Sequence, residues 1–357
     1  MTPLTLRETH LKLGANLADF NDCEGVDHYG DPTAEFRHLR EKAALLDLSH
    51  RSRLCVIGPD RVPFLHGQVT NDIKGLGPGD GCLAALVDHK GKIQSDLTIH
   101  RLQDELLLDF EPGFTQRVTE RLNQFIIAED VEVVDVAPLY GLLSVQGVQS
   151  VAVIEALKLD CPLPETPCSI ASTPHTDFGE AYLARRDRAG TTGFDFYVPD
   201  GSLPAAFQAL LAAVESHGGG LCGAAALEKA RILAAIPRYG ADMDETNLVS
   251  ETGIASEAIS YAKGCYIGQE VIARIRTYGR AKRRFCRLQC PASGGALPQK
   301  GDLLFVGERK AGWITSATET ADQAAVVALG YVSADHWDTG SELTLKTGNE
   351  ELAVTVA

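Results

Sequence analysis

The chain has 357 residues, 45% hydrophobic and 23% charged, with a net charge of -15; this is the balance of an ordinary globular protein, and the length predicts two or three domains rather than one core. No apolar run is long enough to span a bilayer, and Met1-Thr2-Pro3-Leu4 leads into a mixed polar segment rather than a signal peptide, so a cytoplasmic protein without a membrane partner is expected. The nine cysteines, at positions 23, 55, 82, 161, 168, 222, 265, 286 and 290, include no Cys-x-x-Cys pair, which argues against a disulfide framework or zinc ribbon and predicts no metal site.

Asp31-Pro32 caps and starts a helix whose apolar positions Phe36, Leu39, Ala43 and Leu46 keep a helical spacing, ending near Asp47. Residues 54–57 read as a strand closed by Gly58-Pro59, a second helix starts near Asp60, and residues 75–81 are turn-rich. Residues 83–87 run into the turn Asp88-His89-Lys90-Gly91, and the return strand over 93–102 alternates so that Gln94, Asp96, Thr98 and His100 share one face. A third strand over 106–110 and a helix over 114–125 follow. Residues 143–145 and 181–185 are strand-like, and 193–197 form a short alternating strand ending at Pro199. An amphipathic helix with Phe207, Leu210, Leu211 and Val214 on one stripe stops at Gly218-Gly219-Gly220. A further helix spans residues 224–236, where Pro237 ends it. From Phe285 the texture changes to short strands and glycine turns, over 303–306, 312–316 and 326–332, the signature of a small β-barrel or sandwich.

Between those regions lies Lys263-Gly264-Cys265-Tyr266-Ile267-Gly268-Gln269-Glu270, which gathers a thiol, two glycines, a cation and a carboxylate. Glu270 and Arg274 stand at the (i, i+4) spacing that supports a short helix, placing Cys265 just ahead of a helix N-terminus. There the helix dipole and Lys263 would both favour the thiolate. The ordinary alternative is a small hydrophobe in a glycine-rich turn. Residues 271–301 contain no acid but carry Arg274, Arg276, Arg280, Lys282, Arg283, Arg284, Arg287 and Lys300. Any polyanion contact of this acidic chain should be confined to that strip, whose alternative is a solvated strand face.

Lys-Gly-Cys-Tyr-x-Gly-Gln-Glu with Arg274 following resembles the signature of the folate-binding YgfZ proteins, relatives of the aminomethyltransferase (T protein) of the glycine cleavage system. The resemblance to the T-protein pattern runs in order through residues 2–4, 10–20, 45–50, 58–60, 70–72, 91–101, 193–196, 231–244 and 312–316, essentially the whole chain. It implies an α+β, T-protein-like three-domain folate-binding fold. Two α+β subdomains, roughly 1–140 and 141–280 and open to interleaving, make up a folate-binding region over 1–280, and a C-terminal antiparallel barrel covers 281–357. It further implies that Asp96 faces the reactive nitrogen of tetrahydrofolate, that Asp195 recognises the pterin, and that Arg231 belongs to a pocket helix. A carboxylate suits the amidine-like edge of a pterin through a charge-assisted pair of hydrogen bonds. The ordinary alternatives are exposed strand residues for both aspartates and a surface salt bridge to Glu228 for Arg231.

Departures from the T-protein pattern separate two branches. Ser95 precedes Asp96 where aminomethyltransferases carry two adjacent aspartates, Arg231-Ile232-Leu233 replaces Arg-x-Glu, and Cys265 stands where an acid is usual. These departures favour a YgfZ-type protein that supports iron-sulfur enzymes and, through them, tRNA modification. Tetrahydrofolate would lie on Asp96, Asp195 and Arg231, with Cys265 at the pocket mouth beside Lys263, Gln269 and Glu270, and the strip from Arg274 to Arg287 would receive the glutamate tail. The catalytic candidates are Asp96 and Cys265. The alternatives are a folate-dependent aminomethyltransferase and a non-catalytic folate-sensing scaffold for iron-sulfur clients or RNA. Oligomeric state and the one-carbon state of the folate are not legible.

Overall fold

Short apolar runs separated by glycine turns fold here into four sheets: a five-stranded and a six-stranded sheet, a closed barrel, and the two-stranded hairpin Asn16–Phe20 with Cys23–His28, which contributes Asp19, Phe20 and Asp27 to the cavity. The structure, a computed structural model, describes residues 1–279, 281–291, 297–348 and 350–357; Arg280 of the basic strip lies outside them. The first sheet runs in the order Gly81–Val87, Ile93–Arg101, Leu106–Phe110, Ser52–Ile57 and Glu132–Asp135, with every neighbour antiparallel. In the strand Ile93–Arg101 the expected alternation holds: Ile93, Leu97 and Ile99 are fully buried, while Asp96 and Thr98 face the cavity.

The second sheet orders Ile170–Thr176, Gly179–Arg185, Gly193–Pro199, Tyr140–Gln146, Ala44–Asp47 and Gly220–Leu221. Its strand Ala44–Asp47 corrects the sequence reading. The helix capped by Asp31, whose carboxylate accepts from Thr33 N–H, ends at Glu41, and residues expected in its last turns form a strand. That strand pairs antiparallel with Tyr140–Gln146 and parallel with Gly220–Leu221. All four of its residues are buried, and an apolar run buried on both faces carries no period that distinguishes strand from helix.

The helix Ala224–Leu233 also stops short of its expected end. Ala235 adopts left-handed backbone at φ 57°, Ile236 N–H bonds back to Arg231 C=O at 2.9 Å, and Ala235 N–H bonds to Ile232 C=O at 3.0 Å. This pair of hydrogen bonds satisfies carbonyls of the helix end and turns residues 236–240 onto the cavity wall. The C-terminal domain is a closed antiparallel barrel of Arg283–Pro291, Ala325–Ser333, Arg309–Glu319, Leu303–Val306, Glu342–Thr347 and Glu350–Val356. Ile232 of the preceding helix packs against Phe285, Val327, Leu329 and Tyr331 of the barrel, so this helix joins barrel to cavity. Among the described residues no helix is long and apolar enough to cross a membrane.

Candidate functional site

The central cavity has a volume of about 660 Å³, within the range that holds a drug-sized ligand. It is walled by Asp96 and Thr98 from the first sheet, by Arg186 and Arg188 beyond the second, and by the helix Ala224–Leu233 with the segment that follows. Aromatic rings line part of it: Phe20 stacks on His50 with centroids 4.8 Å apart, and Phe114 meets Tyr239 edge-on at 5.1 Å. Burial pushes His50 down to about 4, so its ring is neutral at ordinary pH.

A chain of alternating charges braces the wall. Asp195 accepts from Arg188 at 2.6 Å, Arg188 reaches Asp109 at 2.7 Å, and Asp109 accepts from Arg51 at 2.8 Å. Arg51 then contacts Glu111 at 2.5 Å, Glu111 meets Arg238 at 3.4 Å, and Arg238 meets Glu228 at 3.3 Å. Glu228 pairs with Arg231 at 2.5 Å, and Arg231 closes the chain on Asp242. Burial favours the neutral form of Asp109, but Arg51 and Arg188 outweigh it and hold the carboxyl below the usual range. Such buried charges are tolerable only because each is paired.

Asp96 stands apart from this chain. Its Oδ1 is buried with no hydrogen-bond partner. Burial, reinforced by Glu111, raises its carboxyl to about 6 against the opposing pull of Arg51 and Arg186. Tyr239 OH, His50 Nδ1 and Arg186 Nε are likewise buried and unpartnered, and all three residues line the cavity. Several unsatisfied polar atoms around one cavity fit a polar ligand with complementary groups. A folate carries such groups on its pterin and suits the volume.

The structure separates the other sequence candidates. Arg231 lines the cavity but is 4% exposed, and its guanidinium bonds to Glu228, Asp242, Ile236 C=O and Ser316 Oγ. The pair with Glu228 therefore forms, buried rather than on the surface, and no donor of Arg231 remains for a ligand. Asp195 is fully buried, with both oxygens held by Arg188 and Ser144 Oγ, so it fixes the fork of Arg188, which lines the cavity in its stead. Among the described residues, the cavity lining includes none of Lys263, Cys265, Gln269, Glu270 or Arg274.

Lys263 is buried, and its ammonium donates to the carbonyl oxygens of His66 at 2.5 Å, Val69 at 2.7 Å and Asn71 at 2.8 Å. The cation expected to act on the thiol is thus engaged elsewhere. Cys265 is exposed and lies before the helix Gln269–Tyr278, whose N-cap is Gly268. Glu270 and Arg274 form the expected pair at 2.7 Å on the exposed face of that helix. The basic strip is partly neutralised by tertiary contacts: Arg283 pairs with Glu251 at 3.0 Å, Arg276 lies 3.9 Å from the Tyr261 ring centroid, and Arg284 lies over Trp337. Arg51, Glu111, Arg186, Arg188 and Tyr239 escaped the sequence reading. The one local signal was the run Arg185-Arg186-Asp187-Arg188 preceding the strand of Asp195.

Fold and cavity define a four-sheet α+β protein with a polar cavity walled by charged and aromatic side chains. The GCVT N-terminal domain profile matches residues 6–261 and the glycine cleavage T-protein C-terminal barrel domain profile matches residues 283–357; the chain belongs to the glycine cleavage T-protein family. It is 28% identical over 345 residues to the aminomethyltransferase of Symbiobacterium thermophilum, covering 95% of this chain and 91% of that protein. A chloroplastic protein of Arabidopsis thaliana, provisionally named a transferase, is 29% identical over 326 residues, covering 91% of this chain and 71% of that protein. The crystal structure of the glycine cleavage system aminomethyltransferase T from Bartonella henselae superimposes with a TM-score of 0.88 at 24% identity, covering 99% of this chain and 96% of that one, a likeness of fold.

Proposed function

We propose that this protein binds tetrahydrofolate in the central cavity and uses it in aminomethyl or related one-carbon transfer, with Asp96 as the proton-handling residue. The observation that carries the reading is the buried, unpartnered Oδ1 of Asp96 in a cavity of folate size, in a chain whose curated relatives are named aminomethyltransferases. Tetrahydrofolate, when bound, supplies the nitrogen that carries a one-carbon unit. Asp96 takes up a proton at Oδ1 and returns it, a task for which a carboxyl raised to about 6 is matched to neutral pH. Tyr239 and Arg186 donate to acceptors of the ligand, and Phe20 with His50 offers an apolar face to a flat ring. Asp195 and Arg231 serve through Arg188 and Glu228, whose positions they fix. The test is ammonia release from an aminomethyl-lipoyl carrier protein in the presence of tetrahydrofolate, expected for the wild type and lost in Asp96→Asn. Binding of tetrahydrofolate without any such release would reject the transfer step and leave the binding intact.

A second reading is favoured by one observation, the exposed Cys265 outside the cavity. In it the protein is of the YgfZ type, and folate binding supports iron-sulfur enzymes through a thiol presented to client proteins. Cys265→Ser would then leave tetrahydrofolate affinity unchanged while lowering iron-sulfur enzyme activity in cells lacking the native protein. Full rescue by Cys265→Ser would remove this reading.

A further inference from the structure

We infer that Arg186 is the residue that receives a carboxylate of the bound ligand, so that the cavity selects an acid-bearing pterin over a bare one. This rests on the folate reading above and adds to it a specificity determinant.

The argument starts from how the fold treats its other arginines. Arg51, Arg188, Arg231 and Arg238 line the same cavity, and each meets at least one carboxylate. Arg186 lines it too, yet among the described residues its guanidinium has no ion pair, and its Nε is buried without a partner. The adjacent acid is not available: Asp187 is held by Arg185 at 2.8 Å and by the N–H of Gly193 at 3.0 Å. Asp96 faces the same space with its Oδ1 buried and unpartnered, and among the described residues it forms no ion pair with Arg186. An acid and a base that line one cavity and feel each other's charge without forming an ion pair call for a ligand that brings both hydrogen-bond donors and a negative charge. A neutral pterin has the first alone. A partly desolvated guanidinium needs a full charge to be compensated, and a carboxylate matches its fork in geometry as well as sign. In folates the glutamyl carboxylates are the groups of that kind.

The test compares tetrahydrofolate with 6-methyltetrahydropterin, which lacks the benzoylglutamate, by calorimetric binding to wild type, Arg186→Gln and Arg186→Lys. Among the described residues the Arg186 guanidinium forms no ion pair, so all three should melt nearly alike, which the same calorimeter checks. Arg186→Gln is expected to weaken tetrahydrofolate about 10- to 100-fold, the range of one charge-assisted contact, and to change the pterin less than about 2-fold, within ordinary scatter. Arg186→Lys, which keeps the charge without the fork, should fall between. Unchanged tetrahydrofolate affinity in Arg186→Gln overturns the inference while the folate reading survives. Equal losses for both ligands also overturn it, because the arginine would then meet the neutral head. Wild-type protein that binds neither ligand rejects the folate reading itself.

Discussion

Asp96 is the residue on which chemistry and stability pull in opposite directions. Its carboxyl is raised from 3.8 to about 6 chiefly by burial, with Glu111 adding to it. The folded protein therefore holds this proton to higher pH than the unfolded chain does. Relative to a neutral side chain, the wild type loses stability as pH rises from about 4 to about 6 and is level above. Asp96→Asn should melt with the wild type below pH 4 and exceed it at pH 7 by on the order of 2 kcal/mol, the scale of a two-unit shift with some exposure left; equal melting at pH 7 would deny that the carboxylate is strained by burial. The same residue should impose an acid limb on transfer, with wild-type kcat/KM falling as pH drops through about 6; a profile flat across that range would mean that another group handles the proton. At this scale the sequence was informative: a strand with polar residues at 94, 96, 98 and 100 has one wet face, and Asp96 is on it. That its Oδ1 would find no partner was not legible, because the partners absent from it belong to distant segments.

At the scale of elements, the segment over 263–278 is held by its inward side chains and displays what lies between them. Lys263 fills a ring of three carbonyl oxygens at the end of the helix Arg61–Gln68, and its ammonium lies 4.8 Å from the ring centroid of Tyr266, itself buried. Cys265 is left facing out. Lys263→Met keeps the volume but strands three carbonyls, so it should cost roughly 2–4 kcal/mol in urea unfolding and raise amide exchange over residues 66–71. A loss below about 0.5 kcal/mol, the level of a neutral surface change, would mean that the ring is solvated instead. The (i, i+4) spacing of Glu270 and Arg274 announced the helix in the sequence, because that contact is local. The lysine's partners lie almost 200 positions away, and no local pattern points to them.

For the whole molecule, Asp242 is where cavity and barrel are joined. Its Oδ1 accepts from Thr315 at 2.6 Å and Ser316 at 2.7 Å on the barrel strand Arg309–Glu319, and its Oδ2 accepts from Arg238 N–H at 3.1 Å and from Arg231. Arg231→Met would leave Asp242 and Glu228 without their main counter-ion and should cost about 3–5 kcal/mol, the usual penalty for breaking a buried pair. Adding Asp242→Asn should recover part of that loss, since the two act as one unit. Strict additivity in denaturant unfolding would show that the barrel docks through its apolar contacts alone. The sequence by itself determined most elements, since apolar period, glycine turns and caps act over a few residues; for the C-terminal region it gave short strands that suit a barrel or a sandwich, and its ordered resemblance pointed to the family and to the barrel. The tertiary structure alone decided that residues 44–47 are a central strand, that Asp195 is held by Arg188 and Ser144 and Arg231 by Glu228 and Asp242, and that Lys263 is an internal cation. It alone put Asp96 and Arg186 on one cavity wall without an ion pair between them among the described residues. Those outcomes depend on which charges meet across sheets, and charge pairing in a buried site is set by distance in space, which spacing along the chain does not encode.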